Sequence, residues 1–280
     1  MDYSGFASVI DYSETPTPNT FEFDASEGTL LSNYTITIEE GSLQINKLTT
    51  PIEVTANSSE KTYDATVLKD NGYTYTQGIL KGSDQLFASI SGEIKNFGTA
   101  DNVVGEVKIM RGATNATANY TFGDHKNGTL TINKRSISLT SATDTFAYNG
   151  QAHYNHNIEV GGLGWASTEH ATYTNFASIT DYVEGGVENS FTYNEGSGTD
   201  FNNYEISETF GTLSITKITT PIVVTAASDT KVYDGTALTK SNFTYTDGVL
   251  VAGDRLEATI EGEAKDVDTP GINKVTDVKV

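Results

Sequence analysis

The chain has 280 residues, no cysteine and a net charge of −20 at pH 7, with a pI near 4.4. A protein this acidic offers no basic face to phosphate groups or anionic lipids, so we expect neither nucleic acid nor a membrane surface as its partner. No apolar run approaches the length of a membrane span, which predicts that no segment inserts into a bilayer.

Alternation of apolar and polar residues predicts β-strands along the whole chain, and no stretch sustains helical spacing beyond about three turns. Turn dipeptides such as Asn71-Gly72 and Asn149-Gly150 separate the predicted strands. The fold class is therefore mainly β, with at most short helices. In chain order, the alternating apolar residues are Leu43 and Ile45; Ile52, Val54 and Ala56; Tyr73 and Tyr75; Leu86, Ala88 and Ile90; Leu130 and Ile132; Leu213 and Ile215; Phe243 and Tyr245; and Leu256, Ala258 and Ile260.

The chain also repeats itself. Residues 3–99 match residues 173–269 at a constant offset of 170, with 44 of 97 positions identical. Self-similarity at a fixed period is typical of repeat architectures. An enzyme active site must be unique and asymmetric, whereas tandem copies supply reach, stiffness and repeated surface. We therefore expect no enzymatic activity.

A shorter period lies inside the first. A closing motif, Asn-Tyr followed by Gly-Ser/Thr-Leu-x-Ile-x-Lys, occurs three times and ends at Lys47, Lys134 and Lys217. The lysines are 87 and 83 residues apart, which predicts a tandem array of modules of about 85 residues joined by short, stiff junctions. The predicted modules are a complete one of a Tyr-Asp type (49–135), a complete one of a Tyr-Asn-Gly type (136–218), the C-terminal part of a truncated module (1–48), and the N-terminal part of a truncated Tyr-Asp module (219–280).

Two further segments, Thr-Lys-Val-Tyr-Asp-Gly-Thr at 230–236 and Gly-Val-Leu-Val-Ala-Gly-Asp at 248–254, accompany the closing motif. Together they resemble the MBG/YDG-type tandem repeats of bacterial cell-surface adhesins, over nearly the whole chain. The first copy departs from the pattern, because it reads Tyr63-Asp64-Ala65. The resemblance implies β-grasp-like (ubiquitin-like) modules, with immunoglobulin-like sandwich modules as the alternative. It implies no catalytic residues.

The Tyr-Asp pairs, Tyr63-Asp64 and Tyr233-Asp234, are candidate binding residues. A tyrosine can stack on a sugar while the neighbouring carboxylate accepts a hydrogen bond from it. The structural alternative, which we favour, is a packed tyrosine and an aspartate that binds backbone N–H groups in a turn.

Trp165 is the only tryptophan, and it follows the glycine-rich stretch 161–164. An exposed indole there would provide a platform for a glycan, whereas a buried one would belong to the core. We favour the core position and keep Trp165 as a candidate ligand-binding residue.

No metal site or cofactor is predicted. His153 and His156 are three residues apart, which places them on opposite faces of a strand. Carboxylates are numerous but show no recognised calcium-loop spacing, so calcium is left open.

These observations predict a structural and adhesive stalk segment of a large bacterial cell-surface protein, located outside the cell and involved in attachment to host or mucus. The absence of cysteine fits that origin. The alternative is a carbohydrate- or protein-binding module of a secreted bacterial protein. Expected partners are a host glycoprotein or mucin, or an extracellular protein. End-to-end contacts between the two incomplete modules are also expected, because each would leave an unpaired sheet edge.

Overall fold

The structure is a computed structural model that describes residues 2–267 and 271–280. Thr269, where the sequence match ends, lies outside the described residues. Strands make up 43% of the chain, and the 3% that is helical consists of short 3-10 turns. The predicted mainly β character, with at most short helices, is confirmed.

The chain divides into two compact units, Met1–Arg135 and Ser136–Val280. The strands described in the first unit are β1 (Asp2–Ser4), β2 (Thr17–Asn19), β3 (Glu22–Asp24), β4 (Gly41–Leu43), β5 (Leu48–Ile52), β6 (Val54–Ala56), β7 (Ser59–Thr62), β8 (Tyr73–Tyr75), β9 (Gln85–Ser91), β10 (Gly98–Arg111), β11 (Thr114–Asn115), β12 (Tyr120–Phe122) and β13 (Gly128–Asn133).

The strands of the second unit begin with β14, whose first residue precedes the division. They are β14 (Arg135–Ser141), β15 (Asp144–Ala147), β16 (Ile158–Gly162), β17 (Ala171–Thr174), β18 (Val187–Glu188), β19 (Thr192–Glu195), β20 (Tyr204–Thr209), β21 (Thr212–Thr216), β22 (Val224–Ala226), β23 (Phe243–Tyr245), β24 (Glu257–Glu261) and β25 (Lys274–Lys279).

In the first unit, the long strand β10 serves two neighbours. Its first part, Gly98–Asn102, pairs antiparallel with β13, and its second part pairs antiparallel with β9. A register shift between Val104 and Val107 separates the two pairings. Two other pairings are parallel: β13 runs alongside β7, and β12 runs alongside β5. Strands early in residues 49–135 are thus hydrogen-bonded to strands that close the same stretch.

Within residues 49–135 of the first unit the core contains residues of the predicted alternating pattern, whereas Ile45, from the same pattern, is 38% exposed. Ile52 and Val54 are fully buried, while Glu53 between them is exposed. Because successive strand residues point to opposite faces, this alternation places one row of side chains inside. The buried cluster consists of Ile52, Val54, Ile79, Leu86, Ile109, Ala116 and Tyr120.

The second unit repeats the parallel arrangement. Strand β15 runs parallel to β21, and β18 pairs with β21 on its other edge in the antiparallel sense. Strand β14 pairs with β16 and lies beside β20. A buried cluster of Ile179, Leu213 and Ile215 packs against Phe146, Tyr148 and Val187. The remaining strands form three antiparallel pairs, β17 with β19, β22 with β23 and β24 with β25.

Three 3-10 turns mark the closing motifs. They span Leu31–Asn33, Thr117–Asn119 and Phe201–Asn203, and each ends at the asparagine that precedes the motif tyrosine. In the second and third cases the tyrosine begins a strand, β12 or β20. The Asn-Tyr pair therefore marks the point at which a tight turn becomes an extended segment.

Candidate functional site

The first candidate pair, Tyr63-Asp64, lies in a turn that the aspartate closes. Its Oδ1 accepts hydrogen bonds from Nζ of Lys61 at 2.7 Å, from the backbone N–H of Thr66 at 2.9 Å and from Oγ1 of Thr66 at 2.7 Å. Because these donors favour the charged form, Lys61 and Thr66 lower the pKa of Asp64 to about 2. This is the turn-closing role expected of an aspartate.

The second pair, Tyr233-Asp234, repeats this turn. Asp234 accepts hydrogen bonds from Lys231 Nζ at 2.9 Å and from the amide and hydroxyl of Thr236 at 2.9 and 2.8 Å. Lys231 and Thr236 hold the pKa of Asp234 well below its usual range. Both aspartates therefore have the same three local donors.

The tyrosines of the two pairs differ sharply. Tyr63 is 2% exposed, whereas Tyr233 is 63% exposed. The amide of Tyr63 donates to the carbonyl of Asn133, the last residue of β13, at 2.9 Å. Among residues 219–267 and 271–280, no strand takes the place of β13. The ring of Tyr63 thus has no free face for a ligand, while that of Tyr233 lies open.

The residue after each aspartate adopts a left-handed conformation. The φ angle is +65° at Ala65 and +78° at Gly235. A side chain is strained in this region and glycine is not, which explains why the Tyr-Asp turn favours a following glycine. Ala65 shows that the turn forms without one.

In the Tyr-Asn-Gly module, an asparagine occupies the place of the aspartate. The Oδ1 atom of Asn149 lies 2.8 Å from Nε2 of His153, whose ring stacks on Phe146 at 4.6 Å. His156 instead stacks on Phe176 at 4.2 Å. The two histidines thus have separate aromatic neighbours.

A recurring asparagine, buried at Asn102 and Asn189 and partly buried at Asn273, is not among the residues predicted from the sequence. Nδ2 of Asn102, which is 0% exposed, donates to the carbonyls of Asn57 and Asp70 at 2.9 and 2.8 Å. Asn189 makes the same two bonds to Ala142 and Asn155, and Asn273 makes them to Ala227 and Lys240. One side chain thus ties two backbone segments together in all three places. The sequence signal that could have identified these residues is the recurrence of an asparagine at the same position in each of the three stretches.

The tyrosine of the closing motif forms a second recurring contact. The hydroxyl of Tyr120 donates to Asp84 at 2.8 Å and accepts from the amide of Lys81 at 3.0 Å. In the next module the hydroxyl of Tyr204 bonds to Glu169 and accepts from the amide of Ala166. These tyrosines are 5% and 3% exposed. Each of these tyrosines fixes the beginning of its closing segment to an internal loop.

A charged cluster joins residues 1–48 to residues 49–135 within the first unit. Arg111 donates from Nε to Asp84 at 2.7 Å and from Nη1 to Asp11 at 2.8 Å. Asn119 also donates to Asp11, at 2.7 Å. The Asp84 side chain is only 1% exposed. The Arg111 guanidinium lowers the pKa of Asp84, and the two carboxylates raise that of Arg111.

The closing lysines share one environment. Nζ of Lys47 lies 4.8 Å from the ring centroid of Tyr12, that of Lys134 lies 5.0 Å from Phe97, and that of Lys217 lies 4.1 Å from Tyr182. These are cation–π distances. The motif lysine therefore has a packing role at the end of each closing strand.

Trp165 lies in an aromatic cluster and is partly buried. It stacks on Phe201 at 5.8 Å and meets Tyr204 edge-on at 4.9 Å. Phe201 in turn contacts Tyr193 at 5.6 Å. Trp165 thus packs beside the tyrosine contact of its own module, with part of its surface left open.

Among residues 2–267 and 271–280, no three histidine, aspartate or glutamate side chains converge closely enough to hold a metal ion. Calcium binding stays a prediction. No helix in the described part of the chain is long and apolar enough to cross a bilayer.

Comparisons with known proteins return no relatives: no family model, curated protein or solved structure matches this chain. The resemblance to MBG/YDG-type repeats therefore stays a prediction.

The five sequence-predicted residues have three separate sets of local contacts. Tyr63 and Asp64 lie in one turn of the first unit, Tyr233 and Asp234 lie in the matching turn of the second, and Trp165 packs with Phe201 and Tyr204. The recurring polar contacts bind backbone or neighbouring side chains.

Proposed function

We propose that this chain is a mechanical stalk segment of a bacterial cell-surface protein, built as a tandem array of non-catalytic, β-grasp-like modules of about 85 residues. The observation that carries the proposal is the parallel pairing of early and closing strands. Strand β7 pairs with β13, and β15 pairs with β21, in the stretches predicted to be complete modules.

Parallel pairing decides how such a module responds to tension. The chain enters through β5 to β7 and leaves at the C-terminal end of β13. Pulling on the two ends therefore drags β7 and β13 in opposite directions along their shared ladder. All of its hydrogen bonds are then loaded together, rather than opened one after another as in a pulled hairpin. A surface stalk needs this resistance.

The recurring side-chain contacts support the same role. The amide of Asn102 ties two segments of the opening half together, and Tyr120 anchors the closing half to Asp84. Each contact connects parts of the chain that would separate under load. Their equivalents at Asn189 and Tyr204 repeat them in the next module.

Pulling one module in two directions tests the proposal. Because the chain contains no cysteine, handles can be attached to introduced pairs. The pair Glu60→Cys with Asn133→Cys loads the β7–β13 ladder in shear. The pair Thr62→Cys with Asn133→Cys places the handles on two directly opposed residues. Pulling on these handles peels the ladder open from one end. We expect the shear geometry to require a force several times higher, and equal forces would contradict the stalk.

The second candidate function is a carbohydrate-binding module, which one surface favours. Tyr154 is 58% exposed and stacks on His156 at 4.7 Å. Flat aromatic faces of this kind stack on the apolar faces of sugars. Glycan-array binding that Tyr154→Ala abolishes and Tyr34→Ala leaves intact would support this function, and an array without hits would exclude it.

A further inference from the structure

The chain contains three Asn-Gly pairs, at Asn71-Gly72, Asn127-Gly128 and Asn149-Gly150. In such a pair the main-chain nitrogen of the glycine can attack the side-chain amide of the asparagine, because glycine has no side chain to obstruct the approach. The sequence alone does not distinguish the three pairs. The structure does, through the contacts of each asparagine oxygen and of each glycine.

The side-chain oxygen of Asn149 has two hydrogen-bond donors. The backbone N–H of Gln151 donates to it at 2.9 Å, which identifies the atom as Oδ1, since a backbone N–H requires an acceptor. Nε2 of His153 lies 2.8 Å from the same oxygen and must therefore carry the proton and donate. Two donors thus point at the oxygen that becomes negative when a nucleophile attacks Cγ, as in an oxyanion hole.

The nucleophile is the main-chain nitrogen of Gly150. The bond from the Gln151 N–H folds the Asn149 side chain back over the turn, which brings Cγ toward that nitrogen. Asn149 is exposed, and Gly150 is half-buried, belongs to no strand and has a φ angle of +75°. Water therefore reaches the amide, and no sheet ladder fixes the glycine.

The other two pairs have different surroundings. Gly128 is buried at the start of β13, where an added Cβ would collide with the carbonyl oxygen of Asn57. Asn127 Oδ1 accepts from a main-chain N–H at the longer distance of 3.2 Å. In the third pair, the N–H of Gly72 donates to a neighbouring carboxylate at 2.8 Å, which holds the glycine in place. Asn149-Gly150 thus combines an accessible amide with two donors to its oxygen.

We propose that Asn149 is a site of self-catalysed deamidation. The Gly150 nitrogen forms a bond to Cγ of Asn149, the bond from Cγ to Nδ2 breaks, and Nδ2 leaves as ammonia with the proton of the Gly150 amide. A five-membered imide remains. Water then opens the imide and leaves aspartate or isoaspartate at position 149. Water is the only co-reactant in this sequence of steps.

Aspartate at position 149 would match the other two turns. Asp64 and Asp234 occupy this position in the Tyr-Asp turns, where a lysine and the residue two positions later donate to them. In the Tyr-Asn-Gly module Phe146 stands at the place of that lysine, and the ring of His153 stacks on it. His153 thus supplies the donor that the lysine supplies elsewhere. An ionised carboxylate resists attack by an amide nitrogen, so the aspartate product does not return to the imide readily.

Peptide mapping by mass spectrometry of the full chain, incubated under native conditions, tests the proposal. Deamidation replaces NH2 by OH, and the mass gain is followed over time at each Asn-Gly pair. We expect Asn149 to react about tenfold faster than Asn71 and Asn127, because both donors stabilise the charge that forms on Oδ1. In denaturant the three rates should converge, since only the folded chain holds the donors in place.

Variants at His153 separate the donor from mere exposure. His153→Phe keeps an aromatic ring beside Phe146 but removes the N–H, and should slow the reaction of Asn149 about fivefold or more. His153→Gln restores an N–H donor and should recover part of the rate. The matched control His156→Phe changes the other histidine of the same loop, which stacks on Phe176, and should leave the rate unchanged.

The fold of the variants can be checked in the same samples. The main chain of residue 153 exchanges hydrogen bonds with Ile179 at 2.8 and 2.9 Å, and these bonds do not need the imidazole. Retained exchange protection of the Ile179 amide therefore shows that a variant has folded. Folded chain in which Asn149 reacts no faster than Asn127, or a rate that His153→Phe leaves unchanged, would overturn the proposal. These rates do not depend on the force measurements that test the stalk.

Discussion

Residues 49–109 and 219–280 carry closely related sequences in two different surroundings. Their Tyr-Asp turns share the same three hydrogen bonds, and Asn102 and Asn273 bind the same two carbonyl positions. Their burial differs: Ile52 is 0% exposed and Ile222 is 36% exposed. In the first region, β12 pairs with β5 and β13 pairs with β7. Among the described residues of the second region, no strand pairs with the counterparts of β5 and β7.

The difference separates two levels of organisation. Turns and side-chain ties depend on residues close in sequence or within one opening half, so they form in both regions. Core burial and the strand state of β7 depend on a closing half that lies far along the chain. Residues 229–232, the counterpart of β7, are accordingly not in a strand.

The largest expected effect comes from truncating the matched isoleucines. Ile52→Ala should lower the free energy of unfolding of its module by about 2–5 kcal/mol, because it leaves a cavity in a closed core. Ile222→Ala should cost about 1 kcal/mol or less, since its side chain already meets solvent. Amide hydrogen exchange resolved by residue measures both in the same chain. Equal losses would show that the closing strands do not complete the core.

The buried asparagines should give the next largest effect. Asn102→Ala removes two hydrogen bonds in a fully buried place and leaves two carbonyls without that donor, which should cost about 2–3 kcal/mol. Asn273→Ala removes the same bonds where the residue is only partly buried, and should cost about 1 kcal/mol. Chemical denaturation followed by exchange at the flanking amides checks the order. A larger loss of stability for Asn273→Ala than for Asn102→Ala would contradict the role assigned to these hydrogen bonds.

At the left-handed turn position, exchanging alanine and glycine should change stability in opposite directions in the two regions. Ala65→Gly should stabilise its module by about 0.5–1 kcal/mol, because glycine relieves the positive φ angle. Gly235→Ala should destabilise its region by a similar amount, through strain alone, since nothing lies within 4 Å of an added Cβ. Thermal melts of the two single variants and the double variant measure these changes. Two shifts of the same sign would exclude backbone strain as the cause.

The smallest effect is a dependence on acid. The folded-state pKa of Asp64 is about 2, below the unfolded value of about 3.9. A group with a lowered pKa contributes stability above its unfolded pKa and loses it as pH falls through the folded pKa. The stability that this turn contributes should thus be lost between about pH 4 and pH 2. The loss should be well under about 1 kcal/mol, because the Asp64 side chain is 46% exposed.

The variant Asp64→Asn is the control for this dependence. It should unfold with a shallower acid transition than the wild type, whereas Asp24→Asn, at a carboxylate far from the turn in sequence, should not change it. An acid transition of Asp64→Asn that superimposes on the wild-type curve would show that the Lys61 and Thr66 contacts contribute nothing to stability.

The features that could be predicted from the sequence are local ones. Alternation predicts the buried faces of β5, β6 and β13, and the Tyr-Asp turn follows from the known chemistry of aspartate. The ties of Asn102 and the bridge from Arg111 to Asp11 could not be predicted, because their partners lie 32 to 100 residues away. Pattern within a strand carries no information about such distant pairing. The burial of Trp165 could not be predicted either, because its aromatic partners Phe201 and Tyr204 are distant in sequence.

Pulling the whole chain from its two ends is the most direct test of the stalk. We expect two high-force unfolding events, one for residues 49–135 and one for residues 136–218. Each should release roughly 30 nm of contour at about 3.6 Å per residue, less the folded length. Smooth extension at low force, or a single event that releases the whole chain, would contradict it.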